Sequence, residues 1–231
     1  MANSLPPERR GLLLAQISSF GTELADLLAN TIGGPRLHLE ARWREDLNDG
    51  RLGYKLDRIG IPSRIPLPGP DGDPSCYLYV LFRLTINDAG HLVTTKSALR
   101  LFLDETDDSP SLFRYEFLRD YDLNYPNPHL HIEAENSDAW KEFNRRTNQK
   151  KGLGQLHFPL GGKRYRPSVE DFLEFLIYEG YVKAVDGWED AITVYRSDFH
   201  LRQLSAAVKA DPKTAVSTLR DLGYKVKPPR R

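Results

Sequence analysis

Apolar residues recur at helical spacing near the start of the chain. Between Leu12 and Asn30, positions three and four residues apart are filled by leucine, isoleucine and phenylalanine, and Gly33-Gly34-Pro35 follows. This spacing places the apolar residues on one side of a helix, and the Gly-Gly-Pro run ends it. The pattern predicts one amphipathic helix, preceded by a flexible, Pro-rich arm over residues 1–10.

Alternating apolar and polar positions, which are typical of half-buried strands, dominate the middle of the chain. They occupy residues 37–43, 77–86, 91–103, 113–118 and 129–134. Short connections between such runs join neighbouring antiparallel strands. An antiparallel sheet of this kind needs helices on one face, so we predict an α+β fold in which an antiparallel meander packs against helices.

Helix signals return in the last third of the chain. Ser168 is placed to cap a helix, and a second helix is predicted over residues 197–209. Asp211-Pro212 opens a third helix, in which Leu219 and Leu222 are expected to face inward. The last two helices predict a C-terminal helical hairpin.

These elements predict the organisation of the chain. One core domain is expected over residues 11–195, with a long surface loop in the Pro-rich stretch 60–75. A helical appendage with a basic tail follows over residues 196–231. A chain of 231 residues can bury a sizeable core without disulfide or metal staples.

The composition excludes several classes of protein. Lys and Arg together number 32, as do Asp and Glu, so the whole chain carries no net charge that would attract nucleic acid or a membrane. Cys76 is the single cysteine, which excludes an internal disulfide and a cysteine-based zinc site. No continuous apolar run approaches the ~18 residues of a membrane span, and no Gly-rich nucleotide motif occurs. We therefore expect a cytoplasmic protein without a membrane partner.

Two histidines lie two residues apart in the last predicted strand, at His129 and His131. Side chains on a strand alternate, so both imidazoles and Glu133 are expected on one face, with the imidazoles about 7 Å apart. Such a pair can transfer protons to and from one small group, or it can hold a metal ion.

A basic segment follows the histidines. Residues 141–166 contain eight Lys or Arg residues and one acidic residue, Glu142. Positive charge attracts phosphates without regard to base sequence, and an aromatic ring can stack on a base. The segment therefore predicts a nucleic-acid-binding surface made of Arg145, Arg146, Lys150, Lys151, Lys163, Arg164, Arg166 and Tyr165.

The histidines and the basic segment together predict a metal-independent ribonuclease. A neutral imidazole would take the proton of a 2′-hydroxyl, and a protonated imidazole would donate one to the leaving 5′-oxygen. Lys and Arg would stabilise the charged intermediate. RNA or another polyanion is the expected ligand, and no cofactor or metal is assigned.

Two other functions stay open on these residues alone. The basic segment is also consistent with a solvated surface, or with a non-catalytic module that docks an acidic protein or a nucleic acid. His129-x-His131, followed by Glu135, matches the first ligand cluster of a cupin-like metal site. The surrounding glycines and the second cluster of that pattern are missing.

Residues 77–177 resemble the TumE family of toxin–antitoxin proteins, in which an Arg-Tyr-Asp-Asn-like motif precedes a His-x-His and a final helix. Here Arg119-Asp120-Tyr121-Asp122 precedes His129-Leu130-His131, and an aromatic segment from Tyr165 to Leu176 follows. The resemblance implies a compact α+β toxin-like protein that acts on RNA and has an antitoxin partner, with Asp122 as a further catalytic candidate. The chain differs from the family by one extra residue in the first motif and by the long basic segment.

Overall fold

The computed structural model of the chain describes residues 5–69, 72–106, 111–119, 127–132, 155, 158–160 and 167–227. These residues form four helices and eight strands. The helices are α1 (Pro7–Thr31), α2 (Val169–Tyr178), α3 (Trp188–Ala210) and α4 (Pro212–Asp221). The strands are β1 (Leu39–Arg44), β2 (Asp49–Tyr54), β3 (Ile65–Pro68), β4 (Pro74–Ile86), β5 (Leu92–Phe102), β6 (Ser111–Leu118), β7 (Pro128–Ile132) and β8 (Phe158–Pro159).

All eight strands belong to one antiparallel sheet. Its strand order is β1-β2-β4-β5-β6-β7-β8, and β3 pairs with β4 outside this order. The long hairpin of β4 and β5 runs from the pair Tyr77–Phe102 to the pair Ile86–Leu92. The predicted α+β class, with a meander of antiparallel strands, an N-terminal helix and C-terminal helices, is confirmed.

The helices cover one side of the sheet, called here the helix face. α1 packs against β1 and β2, and the rings of Phe20 in α1 and Phe82 in β4 lie 5.0 Å apart. Towards the other end of the sheet, Phe172 of α2 lies 5.5 Å from Phe113 and 5.5 Å from Tyr115 in β6. Each fully buried aromatic or aliphatic side chain in this core stabilises the fold by roughly 1.5–3 kcal/mol.

Strand β2 has a sequence, Asp-Gly-Arg-Leu-Gly-Tyr, that apolar alternation does not predict as a strand. Packing explains both glycines. A Cβ atom on Gly50 would lie 2.3 Å from Cδ1 of Ile17 in α1, and one on Gly53 would lie 3.0 Å from the carbonyl oxygen of Val80. The missing side chains therefore allow α1 and the neighbouring strand to approach β2.

The Pro-rich stretch 60–75, predicted to be a surface loop, contains strand β3. Ile65 and Leu67 of β3 are 1% and 0% exposed, so the strand contributes to the core. Pro66 and Pro68 are compatible with it because β3 pairs on one side only, with β4. Proline lacks the N–H that a central strand would need, and an edge strand tolerates this loss.

Two of the helices differ from the sequence prediction in where they begin. α1 begins at Pro7 rather than near Leu12, and α3 begins at Trp188 rather than near Ser197. Proline at the first helical position explains the early start of α1, because a backbone N–H at that position would have no acceptor within the helix.

The expected inward orientation of Leu219 and Leu222 is wrong, since these side chains are 40% and 70% exposed. The physical reason is that α4 packs on α3 and has no buried residue of its own. Most of α3 is also exposed, with Trp188 and Ile192 as its buried residues.

α1 meets the length and composition of a membrane-crossing helix, and it is the one such helix in the described part of the chain. Core helices of folded proteins meet the same criteria. Its buried residues include Leu13, Ile17, Leu24 and Leu28. They lie on the side that packs on the sheet, and a cytoplasmic location stays a prediction.

Candidate functional site

The side of the sheet opposite the helices, called here the outer face, carries charged and imidazole side chains. Alternation along β6 sends Phe113 and Tyr115 to the helix face and Arg114 and Glu116 to the outer face. Residues paired across an antiparallel sheet share a face. The register therefore adds Tyr79, Arg83, Lys96, Arg100, His129 and His131 to the outer face.

The charged groups near β2 form a closed network. Asp49 accepts a hydrogen bond from Arg83 and lies 3.5 Å from Nε of Arg51. Arg51 also donates to the carbonyl oxygens of Ile59 and Gly60, each at 3.0 Å. Asp49 and Arg51 are 7% and 8% exposed, so their charges are compensated within the protein. This half of the outer face has a structural explanation.

Three cations on β5 and β6 form a second group, called here the cationic patch: Lys96, Arg100 and Arg114. Arg100 and Arg114 are direct cross-strand partners. Their Nε atoms are buried and have no hydrogen-bond partner among the residues that the structure describes. Burial lowers the pKa of Lys96. The negative charge of Glu116 raises this pKa, whereas the positive charges of Arg100, Arg83 and Arg51 lower it further. Like charges directly opposite each other destabilise a sheet, so this arrangement favours an anion between them.

Next to the cationic patch lie Glu116, His129 and His131, called here the His-Glu cluster. His129 pairs with Glu116 across β6 and β7, and His131 pairs with Arg114. Nε2 of His129 lies 3.7 Å from Oε2 of Glu116. The imidazoles meet edge to face, with ring centroids 4.9 Å apart, and potential ligand atoms of all three residues lie within 4.8 Å of one another. The structure thus brings the two predicted histidines together and adds a carboxylate.

Both imidazoles are buried, at 1% exposure for His129 and 3% for His131. Strand β7 has a neighbour on each side, β6 and β8, which accounts for part of this burial. The ring centroids, 4.9 Å apart, are also closer together than the roughly 7 Å expected from the strand rise. Groups that are enclosed in this way are better placed to hold an ion than to exchange protons with bulk solvent.

Glu116 is an ionised carboxylate near neutral pH. Burial by itself would raise its pKa, but the imidazole of His129 and the guanidinium groups of Arg100 and Arg114 outweigh burial and lower the pKa to about 2. Arg100 also donates a hydrogen bond from Nη2 to Oε1 of Glu116. Its guanidinium carbon lies 5.4 Å from the ring centre of Tyr79. Glu116 therefore presents a fixed negative charge to the imidazoles.

All of the other predicted site residues lie outside the described residues. This applies to the catalytic candidate Asp122, to Glu133 and Glu135 beyond β7, and to the whole predicted nucleic-acid-binding set. That set is Arg145, Arg146, Lys150, Lys151, Lys163, Arg164, Arg166 and Tyr165. Their roles stay predictions.

Sequence reasoning did not find Glu116 and the cationic patch. A signal for them is nevertheless present in the strands. In β6 the order Phe-Arg-Tyr-Glu-Phe places a charge at every second position of an aromatic strand. In β5, Lys96 and Arg100 stand four residues apart, on the same side. Charges repeated with period two in strands whose other face is apolar indicate a polar sheet face.

A cleft on the helix face offers no comparable chemistry. It lies between α1, α2 and α3, and its cavity volume is about 50 Å³. Its lining is dominated by apolar and aromatic groups, among them Phe20, Leu27, Phe82 and Tyr195. It lies across the sheet from the His-Glu cluster, which is why the outer face is the candidate site.

Comparison of the chain with protein-family models, with curated proteins and with solved structures gives no match. The resemblance to the TumE family stays a prediction.

Proposed function

We propose that this protein binds RNA on the outer face of its sheet, with a phosphate group held between Arg100 and Arg114. The observation that supports this proposal is the pair of arginines at directly opposite positions of β5 and β6, whose buried Nε atoms lack partners among the described residues. A buried donor without a hydrogen bond destabilises a protein by roughly 1–3 kcal/mol, and more when it is charged. Such a cost is expected where a ligand supplies the missing acceptor.

A phosphate group meets these requirements. Its oxygens accept hydrogen bonds from guanidinium groups in pairs, and its charge offsets the repulsion between the two arginines. Lys96 lies on the same face of β5 as Arg100 and adds a third positive charge. The patch is therefore suited to a phosphodiester rather than to a neutral ligand.

RNA is the phosphodiester that the rest of the chain favours. The basic segment 141–166 carries eight Lys or Arg residues, and such charge attracts phosphates without regard to base sequence. The resemblance to the TumE family also implies action on RNA, with an antitoxin as the protein partner. An acidic protein that docks on the same surface is the alternative outcome of the experiment.

Binding of a labelled single-stranded RNA oligonucleotide, followed by fluorescence anisotropy in EDTA, tests the proposal. Lys96→Gln/Arg114→Gln removes two charges of the patch and keeps the Arg100–Glu116 pair. We expect it to weaken binding at least about tenfold, since hydrogen bonds to charged groups contribute about 1.5–3 kcal/mol. The slope of log affinity against log salt concentration should also become shallower, by roughly 0.7 for each phosphate that the variant does not neutralise.

The matched control is Lys209→Gln/Lys213→Gln, which removes the same charge from exposed positions in α3 and α4. It should bind RNA as the wild type does. Equal weakening in both double variants would show that net charge alone attracts the RNA. Failure of the wild type to bind RNA, together with patch-dependent binding of an acidic protein, would favour the docking alternative.

RNA cleavage is a second candidate function, favoured by the pairing of His131 with Arg114. A phosphate held by Arg114 would lie beside the His-Glu cluster. Cleavage in EDTA that is lost in His129→Gln/His131→Gln would support the predicted acid–base mechanism. Cleavage that requires a divalent metal ion would instead give the imidazoles the role of ligands.

A further inference from the structure

We propose that Glu116, His129 and His131 form a binding site for one divalent transition-metal ion of the zinc class. The site stands on its own geometry and does not depend on RNA binding. Two imidazoles and one carboxylate are a common ligand set for zinc and for iron(II). All three residues project from neighbouring strands of the outer face.

The distances between the ligand atoms suit a shared ion. Potential ligand atoms of the three residues lie within 4.8 Å of one another, and Nε2 of His129 lies 3.7 Å from Oε2 of Glu116. Two ligands of one tetrahedral ion, each about 2.1 Å from it, are roughly 3.4 Å apart. Small side-chain rotations would therefore close the cluster around an ion without a change in the backbone.

The hydrogen bonds around His129 also fit a ligand role. Its Nδ1 lies 3.2 Å from the carbonyl oxygen of Asn127, while its Nε2 faces Glu116. A neutral imidazole has one N–H and cannot donate to both acceptors. In the tautomer whose Nδ1–H is directed to the carbonyl, Nε2 could coordinate a cation beside Oε2 of Glu116.

The carboxylate has the support that metal ligands usually have. Arg100 donates to Oε1 of Glu116, which leaves Oε2 on the side of His129. Ligating histidines and carboxylates are commonly held by such outer hydrogen bonds. Three protein ligands would leave at least one coordination position open, as in catalytic rather than structural zinc sites.

Two neighbouring guanidinium groups set the expected affinity. Arg100 and Arg114 repel a cation, whereas Glu116 attracts it. We therefore expect binding in the micromolar range rather than tighter. An anion in the open position, held by the same arginines, would offset this repulsion, which connects the metal site with the proposed phosphate site.

The test uses the full chain without a histidine tag, stripped of metal with EDTA and then dialysed. Titration with Co²⁺ is followed by visible absorption, and binding of Zn²⁺ is measured by equilibrium dialysis. We expect about one equivalent per chain, as a single three-ligand site requires. His131→Gln and Glu116→Gln should each weaken binding at least about a hundredfold, since loss of an outer-shell partner alone costs 10–100-fold.

The matched control is His91→Gln, an exposed histidine after the turn between β4 and β5, which should bind as the wild type does. Circular dichroism checks that each variant is folded. If the cluster variants fail to fold, X-ray absorption of the zinc-loaded wild type tests whether the histidines bind the ion. We expect two imidazole ligands at about 2.0–2.1 Å from the zinc.

The metal site is overturned if the wild type binds no metal at micromolar concentrations. It is equally overturned if a folded His131→Gln binds like the wild type, or if fewer than two imidazoles surround the zinc. RNA binding in EDTA is measured separately, so loss of the metal site and loss of the proposed RNA function are distinguishable.

Discussion

The charge of Glu116 should make the protein less stable in acid, and Glu116→Gln should remove that dependence. Burial raises the pKa of Glu116, but His129 and Arg100 outweigh it and lower the pKa from its ordinary 4.5 to about 2 in the folded protein. Between these values the unfolded chain binds more protons than the folded one. The ionised Glu116 therefore makes its full contribution to the free energy of unfolding at pH values well above 4.5. This contribution is lost as the pH falls towards 2.

The size of the effect follows from the two pKa values. The Glu116 side chain is 13% exposed, so screening by solvent is small. The free energy of unfolding should fall by about 1 kcal/mol between pH 7 and pH 4, by about 2 kcal/mol at pH 3 and by roughly 3 kcal/mol at pH 2. Other carboxylates also titrate in this range, so the informative quantity is the difference between wild type and variant.

Urea unfolding at several pH values between about 3 and 7 measures this difference. Glu116→Gln keeps an acceptor for Arg100 but carries no titratable group, so its curve of stability against pH should be flatter than that of the wild type. Glu105→Gln, at an exposed position between β5 and β6, is the control and should follow the wild type. Parallel curves for wild type and Glu116→Gln would refute the argument that this carboxylate is held ionised by its neighbours.

Two further predictions concern helix α2. Phe172→Ala should destabilise the protein by about 3–5 kcal/mol in urea unfolding, because the ring is 2% exposed and contacts two aromatic rings of β6. Unchanged stability would contradict the packing of α2 on the sheet. Ser168→Ala should cost about 1 kcal/mol, because the Ser168 hydroxyl accepts from the backbone N–H of Asp171 in a capping box. Ser205→Ala, an exposed residue inside α3, should cost less and serves as its control.

The fold could be predicted from sequence where one physical pattern dominates. Strands β4, β5 and β6 alternate between an apolar helix face and a polar outer face, and this alternation is visible in the sequence. Strand β2 could not be predicted in this way, because Gly50 and Gly53 are required by contacts with α1 and β4. Those contacts join residues far apart in the chain, and no local pattern reports them.

The candidate site was predictable only in its local part. His129 and His131 are two residues apart, so the period of a strand is enough to place them on one face. Glu116 lies 13 residues before His129, and Arg100 lies 16 residues before Glu116. Their proximity depends on the register of β5, β6 and β7, which is a property of the folded sheet. The same dependence explains why the sequence suggested Glu135 as the partner of the two histidines, whereas the register brings Glu116 next to them.

The two charged halves of the outer face differ in a way that bears on function. Around β2, each described charge has a protein partner, and the network is explained by the fold itself. Around β5 and β6, Arg100 and Arg114 oppose each other, and their buried Nε donors have no acceptor among the described residues. Arg100 and Arg114 are only partly buried, and like charges at opposite positions destabilise a sheet, so stability alone does not account for arginine at both positions. A ligand that supplies negative charge to one side of the His-Glu cluster does account for them, and it is the same ligand that would complete the coordination of a metal ion there.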